Sequence, residues 1–405
     1  VSKILHVDQR QFEGGDRFSR FRLIHWWEQE RLERARVLVV GAGALGNEIL
    51  KNLALLGVGR IFVVDLDTIE HSNLSRSILF REEDNGRAKA EVAAQAVQKI
   101  WPSARVQWLQ DNILTGVGLG VFFWADVVLA GLDNREARLF INHSCWKLGR
   151  TWIDGAIEEL NGLARVFMPP DGPCYECTLS QVDWDILKAR RSCNFLTRED
   201  MLQGRVPTTP TSASVIAAIQ CQEAVKYLHG MPVLDGRAFI FNGLTHESYV
   251  IAYERKPNCT GHDQVGPLQN LGRRASQTTL AELLAIVRSE LGSEAVIDFG
   301  RDIVLSLECE ACRTSQPLFR QLRSVTEQEA VCPSCGLVRN PKLWHTLTGQ
   351  EEFLGRTVTD SGLPPFDIVT GRKGMEERFY LFDGDAPHVM GPVWNAGDLD
   401  KREKP

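Results

Sequence analysis

Seven of the ten cysteines in this 405-residue chain stand at metal-ligand spacing. Six form CxxC pairs, Cys174 with Cys177, Cys309 with Cys312 and Cys332 with Cys335, and Cys259 forms CxxH with His262. Such spacing belongs to a metal site in a reducing compartment and not to a disulfide framework. Cys174, Cys177, Cys259 and His262 make a Cys₃His set, and Cys309, Cys312, Cys332 and Cys335 a zinc-ribbon Cys₄ set. Each is a closed tetrahedron of the kind structural Zn²⁺ prefers, with no open position for catalysis. Three cysteines remain. Cys145 and Cys221 lie in helical patterns among apolar neighbours and read as core. Cys193, in "KARRSCNFLTRED", is a lone thiol in a charged stretch beside Lys188, Arg190 and Arg191. Those cations favour thiolate over thiol, whose free pKa is about 8.5.

A second set of residues surrounds a glycine loop. "GAGALG", with Gly41, Gly43 and Gly46, follows an apolar run and opens a helical one. That context lets backbone approach phosphate at a helix N-terminus. Asp65 or Asp67, at the end of the next apolar run, can take ribose hydroxyls. These features alone suit NAD as well as ATP. The loop "DLDTIEHSNLSRS" then supplies Asn73 and Arg76, Lys89 opens the next helix, and "GLDNREAR" sets Asp133 at the end of a buried strand. Hydride transfer has no use for several cations and a spare carboxylate, and no proton-relay residue accompanies the glycine loop. A reaction at the α-phosphate of ATP uses both: cations hold the phosphates and a carboxylate holds Mg²⁺.

These residues need a scaffold that brings strand ends together. From Arg36 to about residue 157, apolar strand-like runs alternate with helical ones, which predicts an α/β, Rossmann-like, doubly wound parallel sheet. Residues 1–35 precede it, with a helix expected over 17–35. The domain is expected to run over 36–265, interrupted by a polar loop at 178–211 and closed by a helix at 212–228 and an antiparallel hairpin. Residues 266–385 form a small C-terminal α+β domain, with strands on either side of Gly300 and the ribbon inserted at about 307–340. The polar tail 386–405 is expected to be mobile. The net charge of −6 argues against nucleic-acid binding. No run approaches the ~18 apolar residues of a membrane span. The N-terminus lacks the charged-then-apolar layout of a secretory signal, and the expected location is cytoplasmic.

The segments "RFSRF", "VLVVGAGALGNEILKNLALLGVGRIFVVDLDTIEHSNLSRS", "GRAKAEVAAQAV" and "GLDNREAR" resemble the adenylation domain of ubiquitin-activating enzymes and their sulfur-carrier-activating relatives, over residues 17–260. The resemblance implies that Asp65 and Asp67 lie around the ribose and metal, and that Asn73, Arg76 and Lys89 bind phosphates. It also implies that Asp133 holds Mg²⁺ and that Arg20 reaches a neighbour's ATP across a homodimer. Cys193 falls where the ubiquitin-type enzymes carry their catalytic cysteine. The C-terminal region is similar to a ubiquitin-fold domain that recruits a conjugating enzyme. The implied activity is ATP-dependent adenylation of the C-terminal glycine of a ubiquitin-like protein, thioester formation on Cys193, and transfer to a conjugating enzyme. The alternatives are a sulfur-carrier adenylyltransferase and a non-catalytic scaffold that binds a ubiquitin-like protein. The chain departs from the family at Ala44, usually Gly; at Ser77, usually Gln; at His262, usually Cys; and at Asn194, often Thr. None of these removes a charge from the nucleotide site.

Overall fold

In a computed structural model, residues 15–185 and 207–399 are described. The N-terminal segment is not one helix. It forms a 3₁₀ turn, Phe21–Leu23, and a short helix α1, Gln29–Arg34. The aromatic spacing that suggested a continuous helix serves tertiary packing instead: Phe18 meets Trp101 edge-on, and Trp26 and Trp27 pack around His229.

The expected alternation follows: β1 Arg36–Val40, α2 Ala44–Leu56, β2 Arg60–Val64, α3 Lys89–Ile100, β3 Arg105–Leu109, α4 Leu119–Trp124, β4 Val127–Ala130, α5 Arg135–Lys147 and β5 Thr151–Glu158. The antiparallel strand β6 Asn161–Phe167, the single-turn α6 Tyr175–Thr178, and α7 Pro210–Leu228 come next, with the hairpin β7 Arg237–Asn242 and β8 Glu247–Ala252. The strand order is β3-β2-β1-β4-β5-β6-β7-β8. The first five are parallel and the last three antiparallel. β1, β2 and β4 are buried throughout, as strands covered by helices on both faces must be. One core lies between the sheet and α2, α3 and α7. A second occupies the opposite face, beneath α4 and α5, and includes residues of the C-terminal unit such as Phe366 and Met390.

That unit is α+β. It comprises β9 Leu268–Asn270, α8 Leu280–Leu291, β10 Val296–Cys309, β11 Thr314–Gln321, α9 Glu327–Ala330, β12 Asn340–Leu347, β13 Ile368–Lys373, β14 Glu376–Leu381 and α10 Ala386–Met390. Its sheet runs β11-β10-β13-β14-β9, with β12 also on β10. A capping box of Thr279 and Glu282 starts α8. The two strands expected around Gly300 are one: β10 runs through it, with Gly300 at φ +63° and the register to β12 shifting between Asp298 and Ile303.

The tail also differs from expectation. Residues 386–399 fold as α10 and a 3₁₀ turn and dock under the first sheet. Polar composition misled here because the polar groups are used in specific pairs: Asp398 with Arg60, and Asn395 with Arg105 (Oδ1 to Nη1, 2.6 Å).

Candidate nucleotide site and metal centres

The glycine loop joins β1 to α2 at the carboxyl edge of the sheet. Gly41 has φ +92°, and a Cβ there would lie 2.6 Å from the Gly131 carbonyl oxygen at the end of β4. A Cβ on Gly46 would sit 1.9 Å from the Gly41 carbonyl oxygen. Gly43 is different, since nothing lies within 4 Å of its missing side chain. Two glycines therefore let the backbone close on itself, and the third leaves open space at the start of a 13-residue helix. Buried Asn47 braces the loop: its amide nitrogen donates to the Ala42 and Gly43 carbonyls at 2.6 and 3.1 Å. Its carbonyl oxygen accepts from the Leu79 amide at 2.9 Å, pinning the long loop after β2. This brace was not anticipated from sequence, where Asn47 is one polar residue in a helical run.

Asp65 ends β2. Its carboxylate accepts from the amides of Ala42 and Asp67 at 2.6 and 2.8 Å, so it orients the glycine loop as well as facing the crevice. Burial pushes its pKa up, with nearby Lys89 and the Ala42 amide opposing. Lys89, buried at the start of α3, places Nζ 2.7 Å from Asp67 Oδ2. Asp133 follows β4 one residue before Asn134, the cap of α5. Burial raises its pKa too, and it senses the charges of Arg138, Asp67 and Lys89. The fold thus gathers Asp65, Asp67, Lys89 and Asp133 around the glycine loop, at the switch point between β1 and β4 where such sheets bind ligands. Asn73 and Arg76 lie on the loop after β2. Asn73 accepts from the Glu70 amide, and Arg76 donates to the Ser72 carbonyl at 2.7 Å. Among the described contacts neither bonds to the four-residue group.

A second cluster adjoins Asp133. Arg138 donates through Nε to Asp154 Oδ1 at 2.8 Å and through Nη2 to the Gly155 carbonyl at 3.0 Å. It also bonds the carbonyl of Leu132, which holds the backbone just before Asp133. Arg165 takes the other Asp154 oxygen, and Arg135 pairs with Asp183 at 2.9 Å. The three arginines line a cavity of about 260 Å³ with Tyr175 and Thr178. The i, i+3 arginines after "GLDN" were the available sequence signal, but their buried partner Asp154 lies on another strand.

Arg20 is exposed near the other end of the sheet. Its neighbour Phe18 packs on Trp101, where α3 ends, and beside Gly57, where α2 ends. Both helices begin at the carboxyl edge of the sheet that carries the glycine loop, so Arg20 is remote from its own chain's crevice. Cys193, with Lys188, Arg190 and Arg191, lies outside the described residues. Cys145 and Cys221 are buried as expected, and burial pushes the Cys221 thiol up to about 12.

Both cysteine sets come together, each with its four ligand atoms within 4.8 Å of one another. In the first, Cys174 Sγ is 3.9 Å from Cys177 Sγ and 3.5 Å from Cys259 Sγ, and Cys177 Sγ is 3.4 Å from His262 Nε2. A zinc tetrahedron with bonds of about 2.3 Å has edges of roughly 3.8 Å, so the set fits. The Lys256 amide donates to Cys177 Sγ at 3.3 Å, and Trp146 packs against the His262 ring. In the ribbon, Cys309 and Cys335 sulfurs are 3.5 Å apart. Backbone amides of Ser334 and Cys335 pull the Cys332 thiol down to about 6, favouring the thiolate that binds metal. Both sets can hold Zn²⁺.

No described helix is long and apolar enough to cross a membrane. The fold is that of E. coli MccB with ATP, at a TM-score of 0.51 and 22% identity, covering 63% of this chain and 76% of that one. The sulfur carrier protein adenylyltransferase of Thermus thermophilus is 33% identical over 237 residues, 57% of this chain and 83% of that protein. The SAMP-activating enzyme E1 of Haloferax volcanii is 32% identical over 238 residues, 57% and 81% respectively. The SUMO-activating enzyme subunit uba-2 of Caenorhabditis elegans is 40% identical over 154 residues, 38% of this chain but 26% of that subunit. Residues 16–261 match the ThiF family, and this span contains the glycine loop, the Asp65, Asp67, Lys89 and Asp133 group and the three cysteines of the Cys₃His set, ending one residue short of His262. With its crevice built from that family's stretch of chain, this protein belongs to the ThiF family of E1-like adenylyltransferases.

Proposed function

We propose that the protein activates a ubiquitin-like protein with ATP and Mg²⁺ and passes it, through Cys193, to a conjugating enzyme. The observation that carries this reading is the convergence of Asp65, Asp67, Lys89 and Asp133 on one glycine loop, beside an arginine-lined cavity. ATP phosphates lie on the loop, with Lys89 and Arg76 balancing their charge and the Asn73 amide donating to them, and Asp65 takes the ribose. Asp133, with Asp67, holds Mg²⁺, which offsets the charge developing at the α-phosphate. The substrate's C-terminal glycine enters past Arg135 and Arg165, whose charge orients its carboxylate. A carboxylate oxygen attacks the α-phosphorus, pyrophosphate leaves, and an acyl-adenylate forms. The Cys193 thiolate then attacks the acyl carbon and AMP leaves. In a homodimer, Arg20 of a second copy completes the crevice, which accounts for its distance from its own. The C-terminal α+β unit, read as a ubiquitin-fold-like module with an inserted ribbon, recruits the conjugating enzyme.

A second reading has its own support in the 33% identity to a sulfur carrier protein adenylyltransferase over most of that protein. It shares the adenylation step and omits the conjugating enzyme. One experiment separates the two. Wild-type protein is given ATP, Mg²⁺ and a small protein with a C-terminal glycine, and adducts are resolved with and without reductant. A reductant-sensitive adduct that is lost in Cys193→Ala, while pyrophosphate exchange persists, supports ubiquitin-type activation. Exchange with no adduct on Cys193 supports the sulfur-carrier reading, and no exchange at all defeats both.

A further inference from the structure

The base of the zinc ribbon grips the loop that follows β3. Three carbonyls of that loop accept hydrogen bonds from side chains of the C-terminal unit. Arg301 donates to Leu114 O at 2.9 Å and to Val117 O at 3.1 Å, and Gln321 donates to Thr115 O at 2.7 Å. Arg301 also pairs with buried Asp367 at 2.9 Å and donates to Gln321 Oε1 at 3.1 Å, so the two side chains act as one unit. Asp367 in turn accepts from the amide of Leu119, the first residue of α4, at 2.7 Å.

The same base touches the other wall of the crevice. Arg323 approaches Glu136 at 3.5 Å, three residues beyond Asp133, and the Arg301 guanidinium lies 5.7 Å from the Phe140 ring on α5. The held loop leads directly to the nucleotide site. It begins after Leu109, whose carbonyl accepts from the amide of Asp65 at 3.2 Å. Asp65 is the carboxylate that orients the glycine loop. With phosphates on that loop and ribose at Asp65, the base of the nucleotide extends toward β3 and the loop after it.

We propose that Arg301 and Gln321 are positioning residues for ATP, fixing the loop after β3 so that the order of the ribbon sets nucleotide affinity. Gln321 is the last residue of β11 and pairs in register with Ile303, whereas Cys309 pairs with Thr314 at the metal end. Eight residues of strand, roughly 25 Å, thus join the ribbon's ligands to the residues that grip the crevice. Half-buried carbonyls lose these donors in such variants, and the loop relaxes away from its place. The proposal rests on the reading of the crevice as an ATP site.

The test is calorimetric binding of Mg·ATP to the full-length protein, with kinetics of pyrophosphate exchange alongside. Gln321→Ala removes the bonds to the Thr115 and Gly362 carbonyls and the one accepted from Arg301, which keeps its pair with Asp367. The double variant Arg301→Gln with Asp367→Asn removes the buried pair together, and Cys332→Ser with Cys335→Ser disorders the ribbon. The expected result is ATP binding weaker by roughly five- to tenfold in each, with KM for ATP raised, kcat largely retained and Gln321→Ala folded at the assay temperature. Wild-type ATP affinity in Gln321→Ala and in the double variant would overturn the positioning role. Weakened binding in those two but not in the ribbon variant would overturn the link to the ribbon. Absence of ATP binding by the wild type would overturn the crevice reading itself, and this proposal with it.

Discussion

Asp398 and Arg60 are 338 residues apart in sequence, yet both Asp398 carboxylate oxygens lie within 2.9 Å of Arg60 Nη1. Both side chains are about 90% buried. Arg36 donates to the Asp398 carbonyl at 3.0 Å, and Trp124 Nε1 to its carboxylate at 3.2 Å. The end of the described chain is therefore a clamp beneath β1 and β2. Asp398→Ala leaves the buried Arg60 charge uncompensated and should cost about 3–5 kcal/mol. Chemical denaturation of the whole protein checks this, and a loss below about 1 kcal/mol would show that the pair is solvated in solution.

Asp133→Asn should reduce ATP–pyrophosphate exchange by roughly 100-fold or more, because it removes a carboxylate from the place where charge develops. Lys89→Met should do likewise by weakening phosphate binding, and it also releases Asp67 from its 2.7 Å ion pair. Melting midpoints near wild type would separate a chemical from a folding effect. Near-full exchange in either variant would remove that residue from the proposed machinery.

Elemental analysis should find two zincs per chain. Cys259→Ser should remove one and Cys332→Ser the other, each leaving its counterpart bound. The first loss should loosen the joint between the segments after β6 and after β8, which the ligands Cys174, Cys177, Cys259 and His262 hold together. The second should unfold the ribbon, since metal binding and folding are coupled in such modules. A stoichiometry of two that survives both substitutions would mean the metals sit elsewhere.

The C-terminal unit should show a defined loss of stability at each end of the pH scale. The Tyr380 hydroxyl donates to Glu290 at 3.0 Å. Burial pushes its pKa up to about 12, the Glu290 charge adding to the effect. An unfolded tyrosine titrates near 10. The native state thus keeps a proton that the unfolded chain releases. This contribution is fully present below about pH 10 and is lost as pH rises towards 12. For Glu290, burial alone would raise the pKa, but bonds from Gln269, Tyr380 and Arg378 outweigh it and hold the carboxyl low. Its contribution is present above the ordinary value near 4.3 and disappears as pH falls through the native one. Denaturation midpoints against pH should show both limbs, and Tyr380→Phe should flatten the alkaline one. An unchanged alkaline limb would assign it to another group.

Much of the candidate site was legible in the sequence because its parts are local. A strand, a glycine turn and a helix are contiguous from Arg36 to Leu56, and Asp65 and Asp133 each end an apolar run of the kind buried parallel strands require. The cysteine sets were legible for the same reason, since each CxxC or CxxH is a local half-site. Periodicity was a poorer guide where packing partners were distant. The aromatic residues between Arg17 and Ala35 matched a helical period, yet Trp101 and His229 claim them. Residues 386–399 were polar enough to suggest a loose tail.

The sequence by itself determined the alternating α/β order, the residue types around the glycine loop and the two metal half-site pairs, because each depends on contacts within a few residues. Only the tertiary structure decided which carboxylate meets which cation. Asp154 binding Arg138 and Arg165, Asn47 bracing the loop at Leu79, Arg301 and Gln321 gripping carbonyls from Leu114 to Val117, and Asp398 under Arg60 all join separate elements. The physical reason is desolvation. A charge is held in the interior only where a partner satisfies it, and that partner is chosen by how the sheets pack, which no local pattern records.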